Sequence, residues 1–198
     1  MISRRPLFIM KKKLVLVTSP PACGKTHISK RLAKALTNCV YIDKDTLIVL
    51  SKQIFKVAGE EYNRSSDFFQ REIRDYEYYC CLDLAFEALE YNDVVLINAP
   101  FTTEIRDNEY LNNLRKRLDE KGAALVVVWV HTDVEVAHQR MISRNSDRDI
   151  WKLAHWDEYV ATQNFTQPDN IPELFVFNNS SDDEYKKSMD SAVAFIRS

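Results

Sequence analysis

Only three glycines occur in the 198 residues, at 24, 59 and 122, so the places where the chain can turn through a left-handed conformation without strain are few. Gly24 is the informative one. It lies between a β-branched run, Leu14-Val15-Leu16-Val17-Thr18, and a stretch in which Ile28, Leu32 and Leu36 recur every fourth residue with Lys30, Arg31 and Lys34 between them. The first pattern predicts a buried strand stopping at Ser19-Pro20-Pro21, and the second an amphipathic helix over residues 26 to 36. Ser19-Pro20-Pro21-Ala22-Cys23-Gly24-Lys25-Thr26 is therefore a tight loop from strand to helix. It fits G-x-x-x-x-G-K-[ST] with Ser19 in place of the first glycine.

Such a loop directs backbone N–H groups and the positive end of the helix dipole onto phosphate oxygens. The residues expected to cradle a nucleotide are Ala22, Cys23, Gly24, Lys25, Thr26 and His27. The prolines remove donors only at 20 and 21, outside that run. Lys25 would neutralise the β- and γ-phosphates of ATP, and the Thr26 hydroxyl would meet Mg2+, an ion that takes few protein oxygens beside phosphates. A Cβ at Ser19 is expected to strain the turn.

Four more apolar runs follow, at Val40 to Ile42, Asp93 to Ile97, Ala124 to Val130 and Leu174 to Phe177. Helical patterns lie between them at about 46 to 58, 66 to 91, 103 to 121, 133 to 144, 157 to 164 and 182 to 197. Strands apolar on both faces, alternating with helices, predict an α/β fold in three layers with a parallel sheet of about five strands. At 198 residues, with no repeat or linker, residues 1–198 read as a single domain. Residues 43–92 read as an insertion and 140–156 as a lid.

Composition narrows the function. With 27 Lys+Arg against 29 Asp+Glu the formal charge is -2, which advertises no basic nucleic-acid surface and makes nucleic acid an unlikely partner. The longest apolar run is far shorter than the roughly 20 residues of a membrane helix, and no membrane partner is expected. Cysteines 23, 39, 80 and 81 lack zinc-ligand spacing and read as reduced thiols, which with the missing leader suggests a cytoplasmic protein.

In its phosphate loop the chain resembles P-loop kinases of the zeta-toxin, polynucleotide kinase, gluconate kinase and shikimate kinase type. That resemblance implies the sheet order 2-3-1-4-5, Mg-ATP, and transfer of the γ-phosphate to a small acceptor held after the second strand. It also implies site residues. Asp43 and Asp45, in Tyr41-Ile42-Asp43-Lys44-Asp45-Thr46-Leu47, stand where these kinases hold the acceptor hydroxyl; the other use of Asp45 is to cap the next helix. Asn98 replaces the aspartate that reaches magnesium through water; its amide can still accept from a magnesium-bound water but carries no charge, so either metal binding is weaker or Asp43 or Asp45 provides the carboxylate. Arg140 is similar to the arginine beside adenine, and Arg144 and Arg148 to those nearer the phosphates. Asn179 resembles the loop bordering adenine. Arg64, Arg71 and Arg106 are the candidates to bind the acceptor, among aromatic residues of which most, including Tyr76 and Tyr79, are expected in the core. A nucleotide-binding ATPase or switch without an acceptor, and a nucleic-acid 5'-hydroxyl kinase, are the alternatives. Monomer and homodimer both remain open.

Overall fold

The computed structural model describes residues 11–146 and 149–198. Five strands, β1 (Lys12–Thr18), β2 (Cys39–Asp43), β3 (Val94–Asn98), β4 (Ala123–His131) and β5 (Leu174–Asn178), form one parallel sheet in the order β2-β3-β1-β4-β5. Helices α1 (Lys25–Ala35) and α9 (Asp182–Arg197) cover one face, and α4 (Arg74–Ala88) and α5 (Asn108–Glu120) the other. Side chains alternate across a strand, and β1 shows it. Leu14 and Leu16 join Leu82, Leu111 and Leu114, while Val15 and Val17 join Ile28, Leu32 and Ile196. Each fully buried aliphatic side chain contributes about 1.5–3 kcal/mol, so these two layers fix the register of the central strands.

That register has a functional consequence. Asp43 pairs with Asn98, and Asn98 with Val17, so the chemistry-bearing ends of β2 and β3 lie side by side next to the loop after β1. Parallel sheets bind ligands at this carboxyl edge.

Between β2 and β3 the chain inserts α2 (Ile48–Ala58), α3 (Asp67–Glu72) and α4. The continuous helix expected over 66 to 91 is two helices, broken at Ile73 with φ -127° and ψ -44°. Burying Ile73 with Phe55 and Phe69 in a small separate core stabilises the break. The rings expected in the core divide: Tyr78 and Phe86 are buried, but Tyr76 and Tyr79 stand on the surface. After β4 come α6 (Val134–Arg144), α7 (Ile150–Ala154) and α8 (Trp156–Thr162). Trp156 stacks on His138 of α6 at 3.9 Å and 8°, tying α8 back to the body. No helix among the described residues is long and apolar enough to cross a membrane.

Candidate active site

The loop after β1 takes left-handed backbone at Ala22 (φ 64°) and Gly24 (φ 87°), and Gly24 opens α1 with no side chain capping it. The strain expected at Ser19 falls instead on Ala22: Ser19 is absent from the positive-φ residues, and its hydroxyl donates to the Pro20 carbonyl at 2.7 Å. Gly24 is required on two counts, since a Cβ there would also lie 2.7 Å from Asn179 Nδ2. Asn179 Nδ2 and the Thr132 hydroxyl both donate to the Cys23 carbonyl, at 2.8 and 3.1 Å. Asn179 thus supports the loop from behind and is not part of the cleft wall. Cys23 is buried, which pushes its thiol up to about 11 although Thr132 and Arg140 oppose the shift.

A chain of hydrogen bonds runs from α1 to β2. Lys25 Nζ donates to Asn98 Oδ1 at 2.8 Å, while Asn98 Nδ2 donates to Thr26 Oγ1 at 3.3 Å and to the Tyr41 hydroxyl at 3.2 Å. Tyr41 in turn donates to Asp43 Oδ2 at 2.6 Å. Lysine only donates, so the amide oxygen must face it, leaving the amide nitrogen for the two hydroxyls. An aspartate at position 98 could take the lysine but could not donate to either hydroxyl. Burial opposes ionisation of Asp43, yet hydrogen bonds from Tyr41, the Asp45 N–H and Asn98, with the charge of Lys25, outweigh it and hold the carboxyl below its ordinary range. Burial, reinforced by Asp43, pushes the Tyr41 phenol up, so it stays a donor.

Capping falls to Asp43 and not to Asp45. Asp43 Oδ1 accepts from the Asp45 N–H at 3.1 Å and caps the short 3-10 turn Lys44–Leu47. The Asp45 side chain faces a cleft of about 640 Å³, bounded by residues 19–27, by Asp45 and Pro100, and by Arg140, Arg144 and Lys152. His27 is in the first of those walls. Arg140 Nη1 lies 3.5 Å from Thr132 Oγ1. Arg144 donates from Nε and Nη2 to Asp149 Oδ2 at 2.9 and 2.6 Å, and Lys152 donates to Asp149 Oδ1 at 3.2 Å. Two cations on one fully buried carboxylate leave a net positive charge on this wall. Arg148 lies outside the described residues.

The three arginines expected at the acceptor separate. Arg64 makes a bidentate pair with buried Glu77, both bonds at 2.7 Å, and does not reach the cleft. Glu77 also takes Lys44 at 2.6 Å and the Ser51 hydroxyl at 2.5 Å, and despite burial these three donors bring its carboxyl down to about 2. Arg71 is on the surface with Glu72. Arg106 alone of the three faces a cavity, a second one of about 460 Å³ beside the cleft. The sequence reading missed Tyr41, Thr132, Asp149 and Lys152. Tyr41 was open to discovery, because it lies two residues before Asp43 on the same face of a strand.

The sequence profile of a family described as AAA domain matches residues 14–166. No curated protein matches the chain in sequence. Among solved structures, a Chloroflexus aurantiacus j-10-fl protein provisionally described as a kinase shares 18% identity at a TM-score of 0.62, with 96% of each chain covered. A gluconokinase from Sinorhizobium meliloti 1021 shares 15% at 0.58, covering 95% of this chain and 94% of that one. The Mycobacterium tuberculosis APS kinase CysC, in complex with AMPPNP and APS, shares 16% at 0.53, covering 95% and 99%. These likenesses establish the fold, a five-stranded P-loop sheet of order 2-3-1-4-5. The profile match, over most of its length, establishes that the chain belongs to the AAA domain family.

Proposed function

We propose that the protein is an ATP-dependent kinase that transfers the γ-phosphoryl group of Mg-ATP to a hydroxyl of a small molecule or nucleotide. One observation carries the reading: Lys25, Asp45 and the arginines of α6 line the same cleft from three sides. A phosphate-binding wall, a carboxylate and a cationic wall are what phosphoryl transfer by positioning and charge neutralisation asks for. The gluconokinase and the APS kinase bound to AMPPNP and APS, on the same fold, support it.

In this reading the N–H groups of residues 22–27 and Lys25 hold the phosphates of ATP. Arg140 steadies the nucleotide, and Arg144, with Arg148, spreads positive charge over the transferring group. Asp45 orients the acceptor hydroxyl and takes its proton as that oxygen bonds to the γ-phosphorus. The bond from the γ-phosphorus to the β,γ-bridging oxygen breaks, and its electron pair leaves with ADP.

The donor set fits magnesium. Among the described residues no cluster of three or more His, Cys, Asp or Glu side chains is arranged around a metal, and a site completed by phosphate oxygens needs none. Thr26 would hold the ion directly and Asn98 through water, with Asp43 and Asp45 supplying negative charge. When bound, the ion neutralises charge on the β- and γ-oxygens. Asn98 binds Lys25 and holds Thr26, while Asp43 stays ionised behind Tyr41.

The test is ADP release and product formation over a metabolite panel by wild type, Lys25→Ala and Asp45→Asn. Lys25→Ala should abolish turnover with the melting curve retained. Asp45→Asn should lower transfer about a hundredfold, as for loss of a general base, with ATP binding by titration little changed. Equal turnover in Lys25→Ala removes the reading. Slow hydrolysis indifferent to every acceptor and to Asp45→Asn identifies an ATPase instead.

A further inference from the structure

Nine of the twelve large apolar side chains that stand exposed among the described residues lie in the insertion between β2 and β3. They are ordered along two helices. α2 turns Ser51 and Phe55 inward, yet on its opposite side Leu50, Ile54 and Val57 recur at the four- and three-residue spacing of a helix-packing seam, 62%, 44% and 77% exposed. Exposed Val49 widens that seam, so α2 shows solvent the kind of face that a surface helix buries. α4 repeats the arrangement. Tyr78, Leu82 and Ala85 pack in the core, while Tyr76, Cys80 and Leu84 stand exposed every fourth residue on the other side.

The charges name the occupant. Exposed Lys52 and Lys56 flank the α2 seam, and α2 holds no acidic residue. Exposed Asp83 and Glu87 flank the α4 seam, and Asp83 is held only by a 3.6 Å ion pair with half-exposed Arg117. Each seam therefore has its complement in shape and sign on the same chain, but both face solvent and do not meet within one protomer.

We infer that a second copy of the chain covers them, with α2 of each protomer packed on α4 of the other about a two-fold axis. A contact of this kind is self-complementary and closes at two subunits, whereas a foreign partner would have to carry both seams. The opposite charges fix which helix meets which, since α2 against α2 and α4 against α4 would each set like charges together. None of these side chains lines the nucleotide cleft or the second cavity, so the interface is separate from the candidate active site.

Sedimentation velocity of the full chain tests the dimer. The two seams are about 16 and 22 Å long at about 1.5 Å per residue. That puts the contact at the small end of specific interfaces, and a monomer–dimer equilibrium should appear between about 1 and 100 µM. Val57→Asp and Leu50→Asp should each weaken association at least about tenfold, with the melting curve of the monomer retained. Lys52→Glu with Lys56→Glu in one chain, and Asp83→Lys with Glu87→Lys in another, should each abolish the homodimer. An equimolar mixture of those two chains should dimerise, because each α2 then meets an α4 of opposite sign. Should either charge-reversed chain fail to fold, Val57→Asp, at an outward position, carries the test. A monomer throughout the range overturns the inference and leaves the seams to a foreign partner. Association unchanged in Val57→Asp, or untouched by Asp83→Lys with Glu87→Lys, also overturns it, the last outcome meaning that α2 pairs without α4.

Discussion

Glu77, in the insertion, and Asp149, at the edge of the cleft, are both buried carboxylates that gather two cations, and the two clusters are built for different ends. Glu77 takes both Nη groups of Arg64, the ammonium of Lys44 and the hydroxyl of Ser51, so its bonds close on themselves between the 3-10 turn after β2, α2, the loop that follows it and α4. Asp149 takes Nε and Nη2 of Arg144 and the ammonium of Lys152, and both of those residues also line the cleft. One cluster uses its cations to hold the protein together, and the other holds its cations for something else. An arginine near a phosphate loop is informative about ligand binding only once its carboxylate partner is known.

The largest effect that sharpens this contrast belongs to Glu77. Glu77→Ala would leave Lys44 and half-buried Arg64 without a counter-charge, and breaking a buried pair in this way costs about 3–5 kcal/mol. Urea unfolding should show the loss. Asp149→Ala should cost less, because Arg144 and Lys152 reach water, and equal losses would erase the distinction. Acid tests the same cluster without mutation. The folded-state pKa of Glu77, about 2, lies below the ordinary 4.5, so the contribution is complete above about pH 5 and is lost as pH falls from there toward 2. A shift of that size corresponds to roughly 3 kcal/mol. Glu77→Gln should flatten the acid limb of the stability curve, and an unchanged acid limb in this variant would show that other carboxylates govern it.

Arg144→Ala is next, and it should separate function from stability. Turnover should fall about tenfold to a hundredfold with little change in ATP binding, since the charge acts on the transferring group. Stability should fall by about 1 kcal/mol or less, as expected for a partly exposed pair. A rise in the ATP concentration needed, with maximal rate unchanged, would make Arg144 a ground-state contact.

What the sequence disclosed and what it withheld follow from the range of the interactions. The strand Leu14 to Thr18, the loop and α1 are local patterns: β-branched residues, a glycine and a four-residue apolar repeat, each legible within a few positions. The break at Ile73 was not, because no Gly or Pro marks it and the phenylalanine cluster that fixes it spans Phe55 to Ile73. Arg64 was misplaced for the same reason. Its partner Glu77 lies 13 residues away on α4, beyond the whole of α3. The exchange of aspartate for Asn98 was visible as a letter, but its meaning needed Lys25, Thr26 and Tyr41 brought together from three elements.

The smallest effect is expected at Arg71, and it checks the insertion from outside. Its side chain is 71% exposed and pairs with its neighbour Glu72, a contact within one helix that bridges nothing. The guanidinium pKa is raised by that hydrogen bond and charge, but solvent screens an exposed pair and competes for its hydrogen bonds. Arg71→Ala should therefore leave the melting temperature unchanged and acceptor turnover within about twofold, as for a surface substitution away from a packed or ligand-bearing site. The measurement that counts is the acceptor KM at saturating ATP. A tenfold rise in it, with the melting curve intact, would bring the far end of the insertion to the ligand, which the cleft and the second cavity do not require. The insertion would then carry a binding arginine of its own, and the contrast between a cluster that holds the fold and a cluster that faces the ligand would have to be redrawn around Arg71.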